Sequence, residues 1–343
     1  MMRRNTSFES SVHGLLLVPS EGVMKANKPK LDPPEVTEQQ LAFSVRGKYA
    51  ERFRQARQVE ADRPRVAIWA PLVDLEWNGK QVELFENTSI VPGSCYRGYE
   101  ATEYHDFLST EELKLCRETE HWLSVSQPVH YELSAAEAVN AFLIALWVIK
   151  PTFTHVPLRF VELPQERTAV RLLDRMQWIE GHAAHGIAIG DLTAVSEVLG
   201  PLRDVYLERR RLRSALTLTF RGCISKDWQV AFVCFSAAAE AMLTYAADPG
   251  VTNRLATSYA KLTAAPDIIA ASEHFKRLYG IRSDIVHGRS YDRKLTERNL
   301  HELAEFADVL RKMWIAVLRS SDLRTQLEGD DEQRRRFFTR STS

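Results

Sequence analysis

The feature that most constrains the fold is a segment in the C-terminal half, about 226–247, whose apolar residues cover more than one face of a helix. Other elements must surround such a helix, because a surface helix carries a single apolar stripe. The spacing of apolar residues predicts four further helices around it, over about 201–221, 253–262, 272–287 and from Thr296 onward. We therefore expect residues 201–325 to form a five-helix bundle.

The rest of the chain divides into three parts that differ in composition. Residues 1–60 have little apolar content, so we expect a weakly ordered lead. Residues 61–200 combine strand-like and helical patterns, which predicts an α+β domain of unknown role. Residues 326–343 carry an acidic patch and then arginines, so we expect a flexible tail. The predicted fold class is α+β, mainly α, with a small N-terminal α+β region before the C-terminal bundle.

A turn signal within the α+β region predicts a β-hairpin. The run over 66–77 and the run over 82–91 both have the composition of strands. Asn78 and Gly79 lie between them, and this dipeptide is the strongest short hairpin signal. The two runs are therefore expected to pair with each other.

The composition limits the classes of protein to which the chain can belong. Its 343 residues are 45% hydrophobic and 26% charged, which is typical of a globular protein. The net charge is zero, so any contact with nucleic acid must come from a local patch. The four cysteines lack a C-x-x-C pair, and the longest apolar run, 141–149, is too short to span a membrane. We expect a cytoplasmic protein that does not enter a membrane.

The helix predicted over 272–287 carries the candidate site, with Ser272 as its N-cap and Gly288 as its terminator. Arg282 occupies a position on the apolar face and offers a planar donor group that suits phosphate oxygens. His287 lies at the carbonyl end, where the helix dipole stabilises a protonated imidazole. Ser283 precedes it by four residues and is predicted to orient it.

The run YGIRSDIVHG at 279–288, after a buried helix that contains Glu240, resembles the Apea-like branch of the HEPN superfamily. The resemblance covers about 201–319. It implies a helical bundle that dimerises and, in many members, cleaves RNA without a metal. The family motif is Arg, four to six residues, then His, which Arg282 and His287 match. Many members have Asn, Asp or His directly after the Arg, whereas this chain has Ser283.

The resemblance and the chemistry together predict a metal-independent RNA endonuclease without a cofactor. RNA carries its own nucleophile, the 2′-hydroxyl, so cleavage needs a base, an acid and positive charge. One His287 per chain supplies one proton-transfer group, and a two-fold homodimer would supply both. Glu240 is expected to support Arg282 as its ion-pair partner.

The expected partners are RNA, with tRNA among the candidates, and a neutralising or sensor protein, because members with this motif often serve in phage defence or toxin systems. The alternative is a catalytically inactive HEPN module for binding or oligomerisation, in which Arg282 only pairs with Glu240.

Two further patterns have an open interpretation. The basic residues near the bundle are candidate phosphate contacts, and the alternative is a solvated helix face: Arg209, Arg210, Arg211, Arg213 and Arg289. His182 and His185 have metal-ligand spacing, but no third ligand lies nearby in the sequence, and we expect no metal.

Overall fold

A small antiparallel sheet lies against a larger set of helices, and the chain is mainly helical. The computed structural model describes residues 65–104, 107–128, 135–172, 186–245, 250–288 and 296–339. The predicted lead over 1–60, the His182 and His185 pair, and Arg289 lie outside the described residues. Residues Glu60–Ser343 form one compact unit.

The sheet has six strands in the order β2-β3-β4-β1-β5-β6, and all neighbours are antiparallel. In its centre Ile68 lies opposite Val125 on one side and Val161 on the other. The strands are β1 Arg65–Pro71, β2 Val82–Phe85, β3 Thr88–Pro92, β4 His121–Pro128, β5 Leu158–Leu163 and β6 Glu166–Arg171.

The hairpin predicted at Asn78 and Gly79 is wrong, because β1 pairs with β4 and β5 instead of β2. The run over 82–91 is itself a hairpin, since β2 and β3 pair and turn at Asn87, whose φ is 62°. Asn tolerates this left-handed conformation. Gly79 instead allows a close approach, because a side chain there would overlap the indole ring of Trp77.

The described residues form ten α-helices, and none of them is long and apolar enough to cross a membrane. The first two alternate with strands, and the other eight follow the sheet. They are α1 Thr110–Glu118, α2 Ala135–Ile149, α3 Ile189–Glu208, α4 Arg210–Ile224, α5 Trp228–Leu243, α6 Val251–Leu262, α7 Ile268–Val286, α8 Glu297–Arg319, α9 Ser321–Glu328 and α10 Asp331–Thr339.

Helix α2 joins the sheet to the other helices. It packs on β1 and β4 and also on α3 and α8, and residues 141–148 are all buried. One apolar core therefore extends from the sheet into the helices. A second core of aromatic residues, which includes Tyr96, Trp122 and Phe160, covers the opposite face of the sheet.

The helix predicted to be central is α5, and the structure confirms its position. It contacts α4, α6, α7 and α8. Phe232 and Phe235 are fully buried, and both rings contact Phe306 of α8. The multi-faced apolar pattern therefore reflects contacts on several sides.

The single helix predicted over 201–221 is in fact two, because the backbone of Arg209 (φ −111°, ψ 84°) is not helical. The predicted boundary between residues 200 and 201 falls inside α3. Glu328 caps the second helix, α4, by accepting hydrogen bonds from the amides of Arg211 and Leu212 at 2.9 to 3.2 Å. This cap lies 117 residues from Arg211, so no local pattern indicates it.

The N-cap predicted at Ser272 is wrong. Helix α7 begins at Ile268, and its cap is Asp267, which accepts a hydrogen bond from the Ala270 amide at 2.9 Å. Ser272 is buried inside the helix, where its hydroxyl donates to a backbone carbonyl of α6. Ile268 and Ile269 are exposed, so the first turn lies off the apolar stripe from which the helix was predicted.

The segment 326–343, expected to be a flexible tail, is instead helical and packed as far as Thr339, and the last four residues lie outside the described part. Leu327 and Phe338 are buried, and the Phe338 ring stacks on Tyr245 at 5.8 Å. These few apolar anchors hold the segment although most of its residues are polar or charged.

The Glu328 cap makes α9 a structural part of the bundle, which a substitution can test. We expect Glu328→Ala to lower the free energy of unfolding by about 1 to 2 kcal/mol, because two amides of α4 lose their acceptor. Glu332→Ala is the control, since its exposed pair with Arg336 contributes less than about 0.5 kcal/mol. Urea unfolding measures both, and equal stability of the two variants would contradict the role of the cap.

Candidate active site

The second half of α7 carries the candidate site, and aromatic packing fixes its position. Tyr259 of α6 stacks on Phe275 of α7, which stacks on Tyr279, with ring centres 5.2 and 6.0 Å apart. Leu278, beside this stack, is fully buried. Arg282 follows Leu278 by one helical turn and therefore lies at the edge of the packed side.

Three side chains from α5 and α7 meet at this edge. Glu240 Oε1 accepts a hydrogen bond from the Tyr279 hydroxyl at 2.6 Å. The same oxygen lies 3.5 Å from Arg282 Nη2, and Arg282 Cζ lies 5.9 Å from the centre of the Tyr279 ring. The expected ion pair is therefore present. Since 31% of the Glu240 side chain and 34% of the Arg282 side chain are exposed, the pair reaches solvent.

Tyr279 is the member of this group that sequence reasoning missed. Burial raises its pKa, the hydrogen bond to Glu240 and the charge of that carboxylate raise it further, and the charge of Arg282 lowers it. The phenol is therefore protonated at neutral pH and serves as a hydrogen-bond donor. Its position one turn before Arg282 and its polar hydroxyl were the only signals in the sequence.

His287 lies at the end of α7, and its side chain is exposed. Gly288 takes the left-handed conformation that the predicted helix end requires, with φ 67°. The His287 amide donates to the Ser283 carbonyl at 3.0 Å. Among the described residues, the Ser283 hydroxyl makes no hydrogen bond to the imidazole, and an orienting role of Ser283 stays a prediction.

Arg282 and His287 leave the helix in different directions. Five residues turn an ideal α-helix by about 500° and advance it by about 7.5 Å, so the two positions lie about 140° apart around the helix axis. No hydrogen bond or ion pair joins them within the described part of the chain. Within one described chain the two groups therefore do not form a joined pair.

Most of the arginine run contributes to the fold. Arg210 and Arg213 are exposed, and of these two only Arg210, among the described residues, makes no ion pair or hydrogen bond through its guanidinium. With Arg211 it lines a cleft of about 450 Å³, where the Glu328 carboxylate already binds the amides of α4. The other three have partners within the chain: Arg209 pairs with Asp204, Arg211 donates to the carbonyls of Ala241 and Thr244, and Arg213 donates to the carbonyl of Tyr206.

The described residues contain no group of three or more His, Cys, Asp or Glu side chains that could hold a metal ion. The chain matches no protein-family model, no curated protein and no solved structure. What indicates a function in this chain is therefore the arrangement of residues on α5 and α7.

Substitutions of Arg210 and Arg211 distinguish a structural role from a ligand-binding role. We expect Arg211→Ala to lower the free energy of unfolding by about 1 kcal/mol, because the last carbonyls of α5 lose a charged donor. Arg210→Ala, the matched control, should change it by less than about 0.5 kcal/mol. Chemical denaturation measures both. A stable Arg211 variant that binds RNA more weakly would assign Arg211 to an RNA surface instead.

Proposed function

We propose that the chain is a metal-independent RNA endonuclease of the HEPN type, in which Arg282 and His287 act at a homodimer interface. The observation that carries the proposal is a partly exposed Arg282, tethered by Glu240 at one edge, on the same helix as an exposed His287. A guanidinium suits phosphate oxygens, and an imidazole exchanges protons near neutral pH.

The proposed reaction uses the 2′-hydroxyl of RNA as its nucleophile. One His287 takes the proton from this hydroxyl as its oxygen attacks the phosphorus. The imidazole of the second chain gives a proton to the 5′ oxygen as the P–O5′ bond breaks. Arg282 stabilises the charge on the phosphorane. The products carry a 2′,3′-cyclic phosphate and a 5′-hydroxyl, and no redox partner is needed.

The outer face of α5 supports the dimer in this proposal. Val230 is 51% exposed, and Val233, Cys234 and Ala237 continue the same stripe as partly exposed residues. The stripe leads along the helix to Glu240, at roughly helical spacing. A second copy that covered this face would bury apolar surface beside Arg282 of both chains.

The proposed biological setting rests on the composition of the chain for the cytoplasm and on the resemblance to HEPN proteins for the rest. We place the protein in the cytoplasm, in phage defence or in a toxin system. RNA, including tRNA, would be its substrate, and a neutralising or sensor protein would control it.

The alternative function is an inactive HEPN module for binding or oligomerisation. The observation that favours it is the ion pair of Arg282 with Glu240, together with the lack of contact between Arg282 and His287 among the described residues.

Incubation of the purified chain with total RNA in EDTA separates the two functions. The nuclease should cleave the RNA with chelator present and leave 2′,3′-cyclic phosphate ends, because the mechanism uses only protein groups and the 2′-hydroxyl. Mass spectrometry of the fragments identifies the ends. Intact RNA at every protein concentration would support the inactive module.

We expect His287→Ala to lower the rate of RNA cleavage by about 100- to 10,000-fold, the usual contribution of a general acid or base. The variant should keep its fold and its oligomeric state, because the side chain is exposed. Single-turnover cleavage, circular dichroism and sedimentation measure these three properties.

His301→Ala is the matched control for this substitution. His301 is an exposed histidine of α8 that lies 3.6 Å from Glu305, and we expect full cleavage by this variant. Unchanged cleavage by His287→Ala would rule out the assignment.

A further inference from the structure

One oxygen of Glu240 has two partners, and they are unequal. The Tyr279 hydroxyl at 2.6 Å is within the range of a charge-assisted hydrogen bond. Arg282 Nη2 at 3.5 Å is in ion-pair range but too distant for a strong hydrogen bond. No other described residue forms an ion pair or hydrogen bond with the Arg282 guanidinium. Glu240 is therefore bound mainly by the Tyr279 hydroxyl, and its contact with Arg282 is a weaker ion pair.

Tyr279 can hold the carboxylate because its ring is fixed. Only 8% of the residue is exposed, and its ring stacks on Phe275, which also contacts Tyr259 and Phe306. The Glu240 side chain, in contrast, is 31% exposed and has no aromatic ring to fix it. The short hydrogen bond from the buried tyrosine therefore sets the position of the carboxylate.

The loss of the hydroxyl would change the ion pair. A released Glu240 carboxylate would be free to turn toward Arg282 and bind it through both oxygens, the geometry that arginine and carboxylate groups favour. Such a bidentate pair would occupy one of the donor edges of the guanidinium and withdraw it from a phosphate.

We propose that Tyr279 is a positioning residue, whose hydroxyl keeps Glu240 from a bidentate pair with Arg282 and so leaves the guanidinium available to an RNA phosphate. This inference rests on the proposed nuclease function, and it assigns a role to a residue that touches neither the phosphate nor the reacting atoms.

The test begins with Tyr279→Phe, which removes the hydroxyl and keeps the ring. We expect kcat/KM for RNA cleavage to fall by about 10- to 100-fold, because a charged donor is withdrawn from the phosphate. The Kd for a fully 2′-O-methylated RNA oligonucleotide, which cannot be cleaved, should rise by a similar factor. Circular dichroism and thermal unfolding follow the fold of each variant.

A second substitution separates positioning from a purely structural role. In the double variant Tyr279→Phe with Glu240→Gln, the neutral amide cannot hold Arg282 as a carboxylate does, so activity and binding should return to within about threefold of Glu240→Gln alone. A purely structural role predicts that the double variant is less active than either single variant, since the loss of both the hydroxyl and the carboxylate would weaken the site further. Tyr259→Phe is the matched control, because it removes a hydroxyl from the same aromatic stack without touching Glu240, and it should behave as the unmodified protein.

The outcomes are distinct. Wild-type behaviour of Tyr279→Phe, or a double variant at least as impaired as Tyr279→Phe alone, would overturn the positioning role and leave the proposed nuclease intact. If the unmodified chain binds the methylated RNA but cleaves no RNA, the nuclease proposal fails. The Kd values of the unmodified chain and of Tyr279→Phe for that RNA then still test the role of Tyr279. If it neither binds nor cleaves, both proposals fail.

Discussion

Buried helix ends are the constraint on which the bundle depends, because the first amides and last carbonyls of a helix have no partner within it. Charged side chains from distant parts of the chain supply these partners. Glu328 accepts from the first amides of α4, and Arg311 of α8 donates to the last carbonyls of α2 at 3.0 and 3.3 Å. Arg211 and Lys261 donate in the same way to the ends of α5 and α10. These contacts connect separate helices. They also use charged side chains that, from the sequence alone, would be expected to contact solvent or RNA.

The sequence predicts those parts of the fold whose signals are local. Helix α8 begins at Glu297, close to the start predicted near Thr296, and the Thr296 hydroxyl accepts a hydrogen bond from the Asn299 amide. The central position of α5 is also predicted, because contacts on several sides require an apolar residue on several faces. The break at Arg209 could not be predicted, since the group that caps α4 lies in α9. The hairpin was misplaced for a related reason: Asn-Gly indicates a tight turn, but it does not indicate which strands pair.

The candidate site divides in the same way. The ion pair of Arg282 and Glu240 follows from the rule that a charge on a packed helix face needs a partner. The role of Tyr279 does not, because a tyrosine at helical spacing has the same pattern as a core residue, and only the coordinates reveal where its hydroxyl points. His287 presents the reverse case. Its exposure and its place at the helix end were predictable from Gly288. Its separation from Arg282 follows from helix geometry, which the spacing of a sequence motif does not state.

The long-range caps have a consequence for how the chain acquires its structure. Glu328 and Arg211 are 117 residues apart, and Arg311 and Trp147 are 164 residues apart. Closing loops of this length costs chain entropy before the new contacts return any stabilisation. Helices that emerge early from the ribosome therefore lack these partners until α8 and α9 have been synthesised. The aromatic stack behind Arg282 also contacts Phe306 of α8, so a nascent chain would present helices α5 to α7 before that stack is complete.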